Sequence, residues 1–381
     1  MKRRLHPIIM VVIGFLLPLC TIAGTIQITK GKLPDKSNRK VHPVEEIFSK
    51  RRNFDLNTRD ADKLLVLMIE FQTDDNEEST GDGTFMDSTA AIDYPITWGK
   101  PPHDFDYFTD QMEALKYYYL AASFENFALD YDIFPKPDNK KEINAYTLPN
   151  EMSYYNPGIT SDLLVSRLEE YFMHSFVEAD QDENIDFSDY SHFMLIHAGS
   201  DWQHDTFGDT PADIPSFFIN VIEEEKMAVV HDGSSGNEVI IDHACCVPET
   251  ITQDIVENTE GSIPEVYGYG LVNAVFAHEF GHSLGFVDLY NTRTFRPAVG
   301  YFDIMDSGGF GLAGYGIDDD DDDEPEIIYY VEGGFPVFPG AWSRSLAWEE
   351  EFRNMGIFKD VSELYFINEI QVRSAGLDFN D

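Results

Sequence analysis

The chain has 381 residues, with 69 Asp and Glu against 26 Lys and Arg, a formal net charge of −43. That excess of carboxylate excludes a nucleic-acid binder, which needs basic patches against phosphate; it fits a soluble protein working in salt or beside divalent cations. With only three cysteines, two of them adjacent, a disulfide-stapled scaffold is excluded as well.

Lys2, Arg3 and Arg4 lead into an apolar run from Ile8 to Ile22, broken by Pro18, and Thr21-Ile22-Ala23 offers small residues for cleavage. Residues 1–24 therefore read as a secretory signal peptide ending near 23 or 24. The run is short for a membrane-spanning helix and no other stretch approaches that length, so no stable membrane insertion is expected. Leu19 stands where a lipoprotein signal would want a small residue before Cys20. Residues 25–61 are polar, basic and proline-interrupted, a propeptide remnant or linker with Lys50-Arg51-Arg52 as a trimming point.

The body is expected over 62–381. Leu64 to Ile69 is a continuous apolar run of strand length, the mark of a strand buried on both faces. Residues 74–103 read as a long loop. Phe105, Phe108, Met112, Leu115, Tyr119 and Ala122 recur at three- and four-residue steps, which predicts a helix over 104–122. Phe127 to Phe134 alternates as a strand does. Ser161 to Phe176 is a second amphipathic helix, with Ser161 or Asp162 as its cap.

Asp180, Asp182, Asn184 and Asp186 place oxygen ligands at alternate positions, as in a calcium loop. The sixth position is Ile185 rather than Gly and the twelfth Ser191 rather than Glu, so a solvated acidic turn is the simpler reading and Ca²⁺ a second candidate ion. His192 to Ile196 is a strand; His197 and His204 lack a partner at helical spacing and are read as edge or loop histidines. Val239-Ile240-Ile241 continues toward Cys245-Cys246 as the strand against which a peptide would pair. Adjacent cysteines sit about 3.8 Å apart at Cα, below the usual disulfide range, which leaves buried thiols and a strained vicinal bridge both open.

A helix is expected from about Tyr267 to Leu284, carrying His278-Glu279-Phe280-Gly281-His282-Ser283-Leu284-Gly285-Phe286-Val287-Asp288. At about 100° per residue His278 and His282 fall within roughly 40° of each other, one turn apart, able to share a metal ion. Glu279 projects beside the ion, where a carboxylate can take a proton from water. Gly285 permits a sharp exit, and Asp288 can return as third ligand. Two imidazoles and a carboxylate suit Zn²⁺ with one coordination position left open. HExxH alone arises by chance in roughly one chain in forty of this length; requiring the Gly and the Asp lowers that to ~1 in 5,000, which favours the metal reading over core histidines. Glu324, Glu326 and Glu332, later glutamates that could instead supply a third ligand, lie in a stretch with poor helical pattern, which leaves Asp288 the better candidate. Met305 in Phe302-Asp303-Ile304-Met305-Asp306-Ser307-Gly308 is a candidate floor beneath the metal. Asp318 to Asp323 is six aspartates in a row, an exposed insertion loop, and Trp342 and Trp348 mark a final helix packed on the site.

These motifs resemble the immune inhibitor A-like family of secreted bacterial zinc metallopeptidases, itself similar to the metzincins. The carrying residues are His278 to Gly285, Asp288-Leu289-Tyr290 and Phe302 to Gly308, with weaker echoes in Leu65 to Phe71, Lys116 to Tyr119, and Ala341 to Trp348. The likeness spans about residues 62–350. It implies an α/β zincin-like domain: a twisted mixed sheet with backing and active-site helices in 62–285, and a smaller C-terminal part, 286–381, bearing Asp288 and the methionine turn. It also implies an extracellular monomer with one catalytic Zn²⁺, often with calcium, acting on protein or peptide substrates. One departure is Ser307, where some metzincins place a tyrosine that helps the oxyanion. The alternative is a catalytically inactive secreted homologue that binds cations or a partner.

Overall fold

A computed structural model of the protein describes residues 4–6, 61–90, 99–205, 207–252, 265–292, 294–309, 313–318 and 327–358. Apart from 4–6, the expected signal peptide and propeptide lie outside these residues, as does most of the aspartate run. β1 (Arg4–His6) is a short strand. β2 (Asp62–Glu70) follows, and from Leu64 to Ile69 it is buried throughout. Its continuous apolar sequence has a simple cause: the strand lies inside a sheet covered on both faces. Leu64, Val66 and Met68 enter one core, Leu65, Leu67 and Ile69 the other.

α1 (Phe105–Ala122) starts where expected, with the Asp104 side chain accepting from the Tyr107 amide. Its buried stripe is Phe108, Met112, Leu115, Tyr119 and Ala122. β3 (Leu129–Phe134) runs parallel to β2, and β4 (Tyr146–Thr147) adds to the end of β2. The short α2 (Met152–Tyr155) precedes α3 (Leu164–Ala179). α3 begins three residues later than Ser161, because Ser161 closes a turn of its own: its side chain accepts from Leu163 N and its carbonyl from Leu164 N.

β5 (His192–His197), β6 (Phe217–Asn220), β7 (Ala228–His231), β8 (Glu238–Ile241) and β9 (His243–Pro248) follow. The main sheet is ordered β3-β2-β5-β9-β6, parallel except for β6, which is antiparallel to β9. Two expectations change here. Val239 to Ile241 does not continue into the Cys245-Cys246 strand; β8 folds back on β7 as a separate ribbon. β9 is interior, bonded on both sides, so the sheet ends at β6. Cys245 and Cys246 are free, buried thiols on opposite faces of β9.

β10 (Glu265–Gly270) is a strand where the sequence suggested the first turn of the motif helix. The run Tyr267-Gly268-Tyr269-Gly270 explains the error: glycine is a poor helix former and aromatics favour strands. The helix, α4, spans Asn273–Ser283. Beyond it come the β11 (Tyr290–Asn291) and β12 (Arg296–Pro297) hairpin, β13 (Ala313–Asp318), β14 (Ile327–Glu332) and α5 (Ala341–Asn354). A second, mixed sheet is ordered β1-β13-β14-β10, with β10 parallel to β14 across the whole of α4. The described residues thus form a mixed α/β fold with five α-helices, none long and apolar enough to cross a membrane.

α5 bends at Trp348, whose backbone is non-helical there. Trp348 is buried among Tyr119, Phe127 and Phe286, whereas Trp342 is 52% exposed; only one of the two tryptophans joins the core.

Candidate metal centre

α4 leans on β9 and α1 with Phe276, Ala277, Glu279, Phe280 and Gly281 buried, and the Cys245 thiol donates to the Glu279 carbonyl. The helix ends in a left-handed glycine, Gly285 at φ +88°. Its N–H reaches the His282 carbonyl and the Phe286 N–H the Gly281 carbonyl, both at 2.9 Å. This pair of bonds is the Schellman termination, and it reverses the chain against its own last turn. Phe286 is thereby buried and Asp288 is returned to the face that carries His278 and His282. Leu289 N then bonds the Met305 carbonyl at 2.8 Å, tying the returning chain to the methionine turn.

The ligand atoms converge. His278 Nε2 and His282 Nε2 lie 3.2 and 3.3 Å from Asp288 Oδ1. Each imidazole is oriented from behind: His278 Nδ1 donates to Ile304 O at 2.9 Å, and His282 Nδ1 to Phe286 O at 3.1 Å. A carbonyl only accepts, so Nδ1 carries a proton on each ring, and it is Nε2 that each ring turns toward Asp288. Asp288 Oδ1 is itself buried without a hydrogen-bond donor. Three ligand atoms facing one another within 4.8 Å repel unless a proton or a cation lies between them. A tetrahedral ion with bonds of about 2.0–2.1 Å separates its ligands by about 3.3–3.4 Å, so the spacing present fits Zn²⁺.

Electrostatics agree with geometry. Burial alone would lower His278, yet the Asp288 carboxylate, together with Glu279, pushes it up to about 9. Burial likewise opposes ionisation of Asp288, but the two imidazoles hold it well below the usual carboxylate range. The cluster therefore holds either a proton or a cation, and cation binding at neutral pH displaces the proton. Burial raises the Glu279 carboxyl, and its Oε2 has no partner, which suits a proton acceptor.

Met305 is fully buried. Its sulfur lies 2.9 Å from where a Cβ on Gly281 would stand, against the helix between the two histidines. Two aspartates fix this turn. Asp303 accepts from Met305 N with one oxygen and from Gly340 N and Ser343 Oγ with the other. Asp306 Oδ2 accepts from the amides of Ala298, Val299 and Gly300 at 2.7–2.9 Å.

Other sequence candidates sit elsewhere. Asp180 bonds His231, Asp182 bonds Asn184 and Tyr146, and Asp186 accepts from Ser234 N. Among the described residues, only His278, His282 and Asp288 gather three His, Cys, Asp or Glu donors closely enough for an ion. Glu332 belongs to β14; Glu324 and Glu326 lie outside the described residues. His197 is not at an edge: it is wholly buried in a central strand, its ring against Phe71 and Tyr171. His204 ends a short 3₁₀ turn and pairs with the buried Asp201 at 2.5 Å. The backbone carbonyls that orient the histidines have no sequence signature at all. Asp303 and Asp306 could have been suspected from their places on either side of Met305.

Compared with models of known protein families, the chain matches none, and no curated protein matches it in sequence.

Proposed function

We propose that this protein is a secreted zinc-dependent endopeptidase with a zincin-like fold, of the immune inhibitor A-like kind. The observation that carries the reading is the convergence of His278 Nε2 and His282 Nε2 on the buried Asp288 Oδ1 at 3.2 and 3.3 Å. Bound there, Zn²⁺ supplies Lewis-acid activation of water and of the scissile carbonyl. Glu279 takes the proton from the attacking water and returns it to the leaving amine; its raised pKa and partnerless Oε2 suit both steps. β6 is the strand for the substrate backbone. Among the described residues its outer edge pairs with no strand, and its Phe218 ring lies 6.0 Å from His282, so an extended peptide added there passes the metal centre. The basic and apolar first 24 residues support export.

The test is Glu279→Gln. Zinc content of the purified protein should stay near one per chain, measured by mass spectrometry of the metal, while casein turnover falls by at least about 10²-fold. Casein cleavage at near the parent rate, or a parent protein that takes up no zinc, would refute the reading.

A further inference from the structure

We propose that Tyr290 is a catalytic residue: its phenolic hydroxyl donates a hydrogen bond to the scissile carbonyl oxygen as that oxygen gains negative charge. The inference rests on the peptidase reading above and adds the donor that reading lacks.

The groups around the ligand atoms are acceptors. The Nδ1 protons of His278 and His282 are engaged by the carbonyls of Ile304 and Phe286, and Asp288 and Glu279 are carboxylates. A carbonyl carbon turning tetrahedral places charge on its oxygen, and a fixed donor aimed at that oxygen lowers the barrier. Ser307, at the position where a phenol would be sought by analogy, turns its hydroxyl to Asp306 at 3.0 Å, a carboxylate outside the three-ligand cluster, whereas a hydroxyl held at Asp288 lies within that cluster.

Tyr290 reaches the same region from β11. Its ring lies 6.3 Å from the His278 ring, inclined at 31°. Its hydroxyl hydrogen-bonds Asp288 and also lies within electrostatic reach of Glu279. The phenol therefore borders both the third ligand and the base, beside the space a carbonyl attacked by water at Glu279 would occupy. Tyr290 is half-buried, so the hydroxyl is held without being sealed from substrate.

The mount is stiff. Phe295 occupies the left-handed region at φ +52°, which a bulky side chain rarely adopts. Its N–H bonds Asn291 O at 2.7 Å, and its ring stacks on Tyr290 at 6.3 Å and 22°. Tyr290 is in register with Pro297, and the residues just beyond, 298–300, are gripped by Asp306. The tyrosine is thus braced by Phe295 and by a hairpin that is itself anchored to the methionine turn.

The experiment is Tyr290→Phe in the full chain, assayed on a fluorogenic peptide that the parent cleaves. The expected result is a fall in kcat of about 10²–10³-fold with unchanged zinc content and little change in KM. Affinity for a phosphinic peptide, a mimic of the tetrahedral state, should fall by the same factor as kcat/KM, while affinity for a cleaved product peptide stays as it was. Retention of kcat within about threefold, too small a loss for an oxyanion donor, would overturn the proposal. So would loss of zinc from the variant, which would make the hydroxyl a brace for Asp288 instead of a donor to substrate. A parent enzyme that binds zinc and cleaves no peptide would refute the peptidase reading itself, a failure distinct from either of these.

Discussion

Gly281, one residue before the second histidine, has no side chain, and the space a Cβ would fill is taken. Met305 Sδ and Phe286 Cδ2 would lie 2.9 Å from it and the Tyr119 hydroxyl 3.0 Å. Tyr119 is fully buried and its hydroxyl donates to the Ala277 carbonyl, so it cannot step aside cheaply. Replacing a helical Gly by Ala ordinarily gains about 1 kcal/mol; overpacking a full core costs about 1–3 kcal/mol. The second effect wins here. Gly281→Ala is expected to lower the melting temperature by about 2–4 °C and to reduce kcat, because the methionine beneath the ligands must move. A melting temperature above the parent's in a thermal scan would show the crowding to be relieved for free. At this scale the ligands were readable because helical spacing puts His278 and His282 on one face. The crowding at Gly281 was not, since it comes from residues far off in the chain.

At the scale of elements, the methionine turn is held from two directions. Asp303 reaches the amide of Gly340 and the hydroxyl of Ser343 at the start of α5, where a carboxylate also meets the positive end of the helix. Asp306 gathers three successive amides. Burial pushes the Asp306 carboxyl up, but those amides and the Ser307 hydroxyl outweigh it and hold the group below its ordinary value. The sign follows from linkage: a carboxyl depressed by folding adds stability that is present above its unfolded pKa and lost as pH falls through the folded one. Asp306→Asn is therefore expected to be less stable than the parent near neutrality by about 1–3 kcal/mol. The two denaturation midpoints should converge in acid below the ordinary aspartate range. A gap that stays constant down to strong acid would assign the loss to shape and not to charge. α1, β2 and β5 were legible from apolar period and length, because each forms its pattern locally. β10 lies where a helix was expected: its glycines and tyrosines disfavour helix locally, and its partner β14, about sixty residues later, completes the strand.

Across the whole molecule, the main sheet separates two cores, and the metal helix belongs to one of them with α1, Trp348 and the methionine turn. The three ligand side chains join α4 to the chain that returns after Gly285, so an ion held there links elements that unfolding would separate. Binding to the folded state alone stabilises by RT ln(1 + [L]/Kd), about 2.7 kcal/mol at a hundredfold excess over Kd. Adding zinc to chelator-treated protein should raise the melting temperature. His278→Ala should abolish that rise and leave the far-ultraviolet circular dichroism near that of the parent. An equal rise in the variant would place the stabilising ion elsewhere. If the cluster binds zinc, uptake at neutral pH is expected to release a proton, since His278 beside Asp288 and Glu279 is pushed up to about 9.

The sequence by itself determined the residue types and spacing of the candidate metal centre, the helix that presents two of them, the glycine that lets the chain turn back, and the buried strands. These are local facts, set by 3.6-residue and 2-residue periods and by the conformations glycine permits. Tertiary structure decided which strand ends the main sheet, which tryptophan enters the core, that His197 is interior, and which carbonyls and aspartates hold the site rigid. Those depend on contacts between segments up to a hundred or more residues apart, and a hydrogen bond to a backbone carbonyl leaves no mark on the identity of the residue that supplies it.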